Sequence, residues 1–378
     1  MAWLKNIKRA LDKFGEVQRP RAERREATGL AAEYGLGGAR TAVGIKNISS
    51  TGIYLFTEKR LQTGDLVTLL LKQEGQQEES AELQFSLHAH VARQGDDGLG
   101  LSFDLPPGLN MDLWGVLIRN IVTLTDREQV TDLFRTLHTI LFLCRLCQAE
   151  AEEAILLLGK ELHPDRTAAI LKIALTGESL LRSKPDADRM RAHPKLVASI
   201  LRNGSWAQDE PTIQLWAGLL VSSCSLDVAD DANQVLADLL VHLTPTQSKV
   251  YILACQRALG SSPEGASATS IVIGPKEMIE TTGEHDLTRA ATDVSYLYNL
   301  GLIRKSFDFS SYHDIETFDI TPSALGIALF QHCRGSREKL DPKLVESANT
   351  HLANFLPAPQ PMMVNDENPP LPIYRPET

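Results

Sequence analysis

Residues 43–56 read VGIKNISSTGIYLF, and this stretch decides the architecture of the first hundred residues. Val43–Lys46 and Ile53–Phe56 have the β-branched and aromatic composition of short strands. Between them, Asn47-Ile48-Ser49-Ser50-Thr51-Gly52 has the composition of a turn. Strand alternation puts Asn47 and Ser49 on one side, while Gly52 is expected to take a positive φ that lets the chain reverse.

Further strand-like runs follow at Leu66–Leu71, Leu83–Arg93 and Leu99–Phe103, separated by Gly64–Asp65, Gly75 and Asp96-Asp97-Gly98. Leu83, Phe85, Leu87, Ala89 and Val91 alternate with polar residues, as in a barrel strand with one wet face. Pro106-Pro107-Gly108 closes the unit. An all-β barrel is therefore expected over residues 17–107.

Upstream the chain is basic. Residues 1–25 hold eight Lys and Arg against Asp12, Glu16 and Glu23, a net +5 in a chain of net −10, so the remainder carries −15. A polyanion would be met at this head rather than over the acidic body. Within residues 1–16, Trp3, Leu4, Ile7, Leu11 and Phe14 recur at helical spacing, giving a basic amphipathic helix. Its stripe suits either a membrane surface (residues 3–14) or packing on protein. Arg21 and Arg25 stand four apart just before the barrel, and Arg24 adds a further cation. The guanidinium fork donates paired hydrogen bonds to a phosphate or to guanine O6 and N7, and it stacks on purines. Short polar side chains at the 47–52 turn can bond base edges or phosphates. Together these groups suit an anionic cyclic dinucleotide.

Arg21-x-x-x-Arg25, followed by Asn47-x-Ser49-x-x-Gly52, resembles the two-part signature of PilZ domains, receptors for cyclic di-GMP. Val91-Ala92-Arg93 and Gly98-Leu99-Gly100-Leu101-Ser102-Phe103 are similar to that family's closing strands. The resemblance covers residues 17–107, about a quarter of the chain, and implies an all-β barrel of six-stranded type. It implies a cyclic di-GMP ligand, not a cofactor, held by Arg21, Arg25, Asn47, Ser49 and Gly52. Asn47 departs from the family's commoner Asp, which removes a negative charge near an anionic ligand.

Beyond Met111 the period becomes helical, with an all-α domain expected over residues 111–243. Residues 244–335 then offer helices at Gln247–Leu259, Lys276–Glu280 and Leu287–Leu300. Two strand-like runs follow, Arg304–Phe309 and Glu316–Ile320, the order of a winged-helix-like α+β module. Seven basic residues against ten acidic ones in that module give −3, which disfavours DNA as its partner and favours protein contact. A C-terminal helix over 336–355 and a disordered tail with seven prolines over 356–378 complete the chain. From about Pro185, His193-Pro194-Lys195-Leu196, Gln208-Asp209-Glu210, Leu215-Trp216-Ala217-Gly218-Leu219-Leu220 and Leu243-Thr244-Pro245 resemble the Abi-alpha family, named from phage abortive infection. That resemblance implies an effector acting through protein contacts in defence or stress.

Catalysis finds no support, because no phosphate loop, nucleophile elbow or carboxylate pair stands out. Cys144-x-x-Cys147 lies among Leu141, Phe142, Leu143 and Leu146 and reads as a buried helix rather than a metal site. His88 and His90 share a solvated strand face. Five scattered cysteines, no long apolar run, and Lys5, Lys8 and Arg9 close behind Met1 lead to the expectation of a cytoplasmic bacterial signalling protein without catalytic residues or metal. A transcription regulator controlled by cyclic di-GMP, using the winged helix on DNA, is the alternative output.

Overall fold

The computed structural model describes residues 30–36, 39–73, 84–123, 126–159, 164–226, 233–261, 270–305 and 315–355. Six antiparallel strands form a closed barrel: β1 (Leu30–Leu36), β2 (Ala39–Ser49), β3 (Gly52–Phe56), β4 (Leu66–Gln73), β5 (Gln84–Gln94) and β6 (Gly98–Asp104). Their order is β1-β2-β3-β6-β5-β4, with β1 pairing to β4 to shut the cylinder. The apolar runs foresee β2 to β6 and miss β1. That strand still alternates, with Leu30, Ala32 and Tyr34 buried and Ala31, Glu33 and Gly35 less so. Lys72 of β4 pairs with Glu33 of β1 across the closing seam.

Leu55, Leu69, Leu71, Leu99 and Phe85 fill the barrel's interior. Each such side chain contributes roughly 2 kcal/mol by leaving water. The same apolar core runs on into helices α1 (Met111–Thr123) and α2 (Arg127–Cys147). On α1, Leu113, Trp114, Leu117, Ile118 and Ile121 recur at three and four residues and are buried. Asp126 caps α2, its carboxylate accepting from the Gln129 amide at 2.9 Å. Phe85 of β5 meets Phe134 of α2 with ring centroids 5.6 Å apart, so barrel and body share a packed seam.

The body continues with α3 (Glu152–Gly159), α4 (Pro164–Arg182), α5 (Pro194–Gly204), α6 (Glu210–Ser222) and α7 (Gln234–Leu240). Beneath the seam lies Glu178 of α4, almost wholly buried. It pairs with His138, with Arg182 Nη2 at 3.0 Å and with Arg145 Nη2 at 3.5 Å. Burial pushes its carboxyl up, but the hydrogen bond and charge of His138 and the two guanidiniums outweigh that and hold it below its ordinary 4.5. A depressed folded-state value means that the stabilisation is complete above about 4.5 and is lost as pH falls through the lower folded value. Glu178→Gln should cost about 3 kcal/mol at neutral pH in denaturant unfolding, because it strands the basic partners. It should also remove that acid-side slope.

Downstream, α8 (Pro245–Ser261) opens with a reciprocal cap. The Gln247 amide donates to Thr244 Oγ1 at 3.2 Å, and the Thr244 amide donates to Gln247 Oε1 at 3.0 Å. Next come β7 (Val272–Ile273), α9 (Pro275–Thr282), α10 (Leu287–Asn299), β8 (Phe318–Asp319), α11 (Ala324–His332) and α12 (Pro342–Phe355). The three expected helices therefore appear, and the expected ribbon is described only in part. β8 pairs with β7, Val272 opposite Asp319, and the Arg304 amide, at the start of the expected 304–309 run, donates to the Thr321 carbonyl at 2.9 Å. Phe318 and Ile320 are buried, and the Ile271 amide donates to Thr321 Oγ1 at 2.7 Å, which ties this strand to the segment before α9. Ile303 bridges Pro322, and residues 306–314 lie outside the described residues. The C-terminal helix begins at Pro342, six residues later than expected. The amphipathic segment 1–16 and the tail 356–378 also lie outside the described residues.

Candidate functional site

One outer face of the barrel gathers polar residues from β2, β3, β5 and β6. Two bulges prepare it. The β2–β3 register slips between Ile45 and Asn47, and the β5–β6 register slips between Val91 and Arg93. Each bulge shifts the phase of its strand. In β2, Ile48 turns inward and is buried, so Asn47 and Ser49 flank it on the outer side. In β5, Ala92 and Arg93 are both exposed.

Asn47 stands opposite Tyr54, and Ser49 stands opposite Gly52. Ser49 Oγ donates to the Gly52 carbonyl at 3.2 Å and so braces the turn. Gly52 does not hold the positive φ expected of it, since it is absent from the left-handed glycines of the described chain. Its requirement is steric. A Cβ there would lie 2.2 Å from the Leu101 carbonyl oxygen of β6, so only glycine lets these strands pair at this point.

Asn47, Ser49, Gly52, Tyr54, Arg93 and Ser102 line a cleft of about 320 Å³. Arg93 lies with its guanidinium carbon 5.6 Å from the centre of the Tyr54 ring. Tyr54 Oη donates to Asp97 Oδ1 at 2.7 Å, and Lys46 Nζ donates to Asp97 Oδ2 at 2.6 Å. Those hydrogen bonds hold the Asp97 carboxyl below its usual range. The same bonds raise Lys46 and Tyr54 above theirs, so the phenol stays protonated. The floor of the cleft is thus an aromatic ring fixed in place, bordered by an arginine and by neutral donors and acceptors. It can hydrogen-bond a polar ligand and offer the Arg93 guanidinium to an anion.

Asn47, Ser49 and Gly52 come together as the sequence pattern expected. Arg21, Arg24 and Arg25 lie outside the described residues. Arg93 belongs to the Val91-Ala92-Arg93 step, whose composition alone gives it no place in the site. The bulge that turns it outward leaves no trace in composition. The turn also reaches the helical body. Trp114 Nε1 of α1 donates to the Ser50 carbonyl at 2.8 Å, and Phe103 meets the Trp114 ring edge-on at 6.0 Å.

Elsewhere, Cys144 and Cys147 are buried on α2, and burial pushes both thiols up to about 12. His88 and His90 are exposed on β5. Among the described residues no group of three or more His, Cys, Asp or Glu is placed to hold a metal ion, and no helix is long and apolar enough to cross a membrane.

The PilZ domain family matches residues 18–117, a span that takes in the barrel, the cleft and the start of α1 with Trp114. This match supports a cyclic di-GMP-binding receptor, with the dinucleotide as ligand rather than cofactor. No curated protein matches the chain.

Proposed function

From a PilZ domain over residues 18–117, we propose that this chain is a cyclic di-GMP receptor that passes ligand binding to its helical body. Arg21 and Arg25 grip the phosphates or guanine edges from one side. Asn47, Ser49 and the close backbone at Gly52 contact the ligand from the other, with Arg24 as a further cation. The observation that carries this reading is the cleft itself, where Asn47, Ser49 and Gly52 share one face with Arg93 and Tyr54. Titration of the full chain with cyclic di-GMP at low salt tests it calorimetrically. An absence of heat at every temperature tried, with no change in melting temperature, sinks it.

The output we propose is altered protein contact by the body in the cytoplasm, in keeping with its Abi-alpha resemblance, in phage defence or stress signalling. The route is the Trp114–Ser50 hydrogen bond, which joins α1 to the ligand turn. A ligand that favours one arrangement of that turn biases α1 by its differential affinity, commonly ~1–3 kcal/mol. Trp114→Phe keeps the ring and drops the donor. It should cost about 1 kcal/mol of stability. It should leave ligand affinity within a few-fold and abolish ligand-dependent hydrogen-exchange protection in α1.

The alternative of a DNA-binding output has less support. On α10, Arg289 pairs with Glu284 at 3.4 Å, and Asp293 accepts from Gln247 Nε2 at 2.8 Å. Lys305 is held 3.2 Å from Asp319. These pairings leave that helix and its flank few cations for phosphates. A mobility shift with and without ligand discriminates the two outputs.

A further inference from the structure

A second cleft lies at the opposite end of β5, where the barrel meets the body. Its volume is about 600 Å³, within the range of small-ligand sites. The barrel contributes Arg40 of β2 and Ser86 of β5, and α2 contributes His138 and Arg145. Arg182, at the end of α4, and the following turn with Lys184 and Arg189 complete the rim. Arg93 of the first cleft is seven residues along β5 from Ser86, roughly 23 Å at strand rise.

The charge of this cleft runs against that of the chain. Five cations line it, against Asp186 and Asp188. Asp188 is almost fully exposed and touches Arg145 only at 3.8 Å, while Asp186 lies 4.0 Å from Arg189. Glu178 beneath is a single carboxylate shared by three basic side chains. Among the described residues Arg40 has no ion pair.

Two buried nitrogens also lack hydrogen-bond partners. His138 is nine-tenths buried and its Nδ1 has no hydrogen-bond partner, although its Nε2 is engaged with Glu178. Arg145 Nε is likewise buried and without a partner. A guanidinium Nε is an obligate donor. A buried donor left unmet costs about 1–3 kcal/mol. A ligand rich in acceptor oxygens and carrying negative charge answers the excess of cations along this rim.

We propose that this seam cleft is a second ligand site, one for a small phosphate-bearing anion, separate from the dinucleotide cleft. Its ligand would touch β2 and β5 on one side and α2, α4 and the Lys184–Arg189 turn on the other, and so would hold the barrel on the body. The site does not depend on the cyclic di-GMP reading.

The test uses the full chain and inorganic pyrophosphate at low ionic strength, with binding read by titration calorimetry and by broadening of the phosphorus resonance. Wild type should bind. Arg40→Gln combined with Arg189→Gln alters two rim side chains outside the Glu178 network, and should weaken binding about tenfold or more. Arg93→Gln, in the other cleft, should leave pyrophosphate binding unchanged. Absence of pyrophosphate binding by the wild type overturns the proposal. So does equal binding by the rim variant, or loss in Arg93→Gln. Cyclic di-GMP titrated in parallel keeps the two sites distinguishable, because the rim variant should still bind it like the wild type.

Discussion

Replacing Arg21 and Arg25 together by alanine should weaken cyclic di-GMP binding about a hundredfold or more, while the melting temperature without ligand stays within a degree or two. The expectation follows from the kind of contact proposed. Hydrogen bonds to a charged group contribute about 1.5–3 kcal/mol each, and each arginine can offer a bidentate pair. Losing two such contacts gives about 3–6 kcal/mol, and each 1.4 kcal/mol is a factor of ten. Lysine at both positions keeps the charge and loses the planar fork, so it should recover only part of the affinity. Asn47→Ala removes a neutral contact of about 1 kcal/mol and should cost roughly fivefold. This ordering is the discriminating feature. If the double arginine variant binds as well as Asn47→Ala does, the arginines do not hold the ligand. Wild-type affinity should also fall as salt rises, more steeply than that of the double variant.

The largest expected loss of stability is at Gly218 of α6. A Cβ built there would lie 1.6 Å from the carbonyl oxygen of Cys333 and 3.0 Å from the Arg334 amide nitrogen, both backbone atoms. A flexible side chain could swing away, but this backbone closes α11, where the Cys333 amide donates to the Leu329 carbonyl at 2.8 Å. Overpacking commonly costs ~1–3 kcal/mol, and more where backbone must move. Gly218→Ala should therefore lose about 3 kcal/mol or more in denaturant unfolding, and Gly218→Val should fail to accumulate folded protein. Ligand affinity of whatever Gly218→Ala remains folded should be unchanged, since the 47–52 turn is remote from this contact. A Gly218→Ala protein as stable as the wild type would show that α6 and α11 do not meet this closely.

How much of this was legible varied with the physics behind each element. β2 to β6 are visible because β-branched and aromatic residues alternate between turn residues. β1 is not, because Ala31, Ala32 and Gly35 give its leucine and tyrosine no apolar contrast to stand against. Asn47 and Ser49 were placed on one side correctly. The role of Gly52 was misread because a close approach of neighbouring strands and a positive φ leave the same letter in a sequence. The pairing of β7 with β8 is not foreseen, because a strand only two residues long has no periodicity to detect. Arg93 and the Glu178 network lay beyond reach for a common reason. A bulge and an ion cluster shared between two helices are made by tertiary contact, with His138 forty residues before Glu178, and no local pattern encodes either.

Closure of the barrel constrains how this protein can assemble. Each of its six strands already has two neighbouring strands, so none presents a whole free edge. An incoming peptide cannot zip onto it as a seventh strand, and two copies cannot join sheet to sheet through it. The pairing of β7 with β8 does leave edges, but at two residues per strand it is too short to template another chain. Any complex that forms with or without ligand must therefore be built from side chains on the barrel's outer face or on the helices. Such a complex should respond to surface charge and to single substitutions, and it should show no gain of β-structure by circular dichroism as it forms.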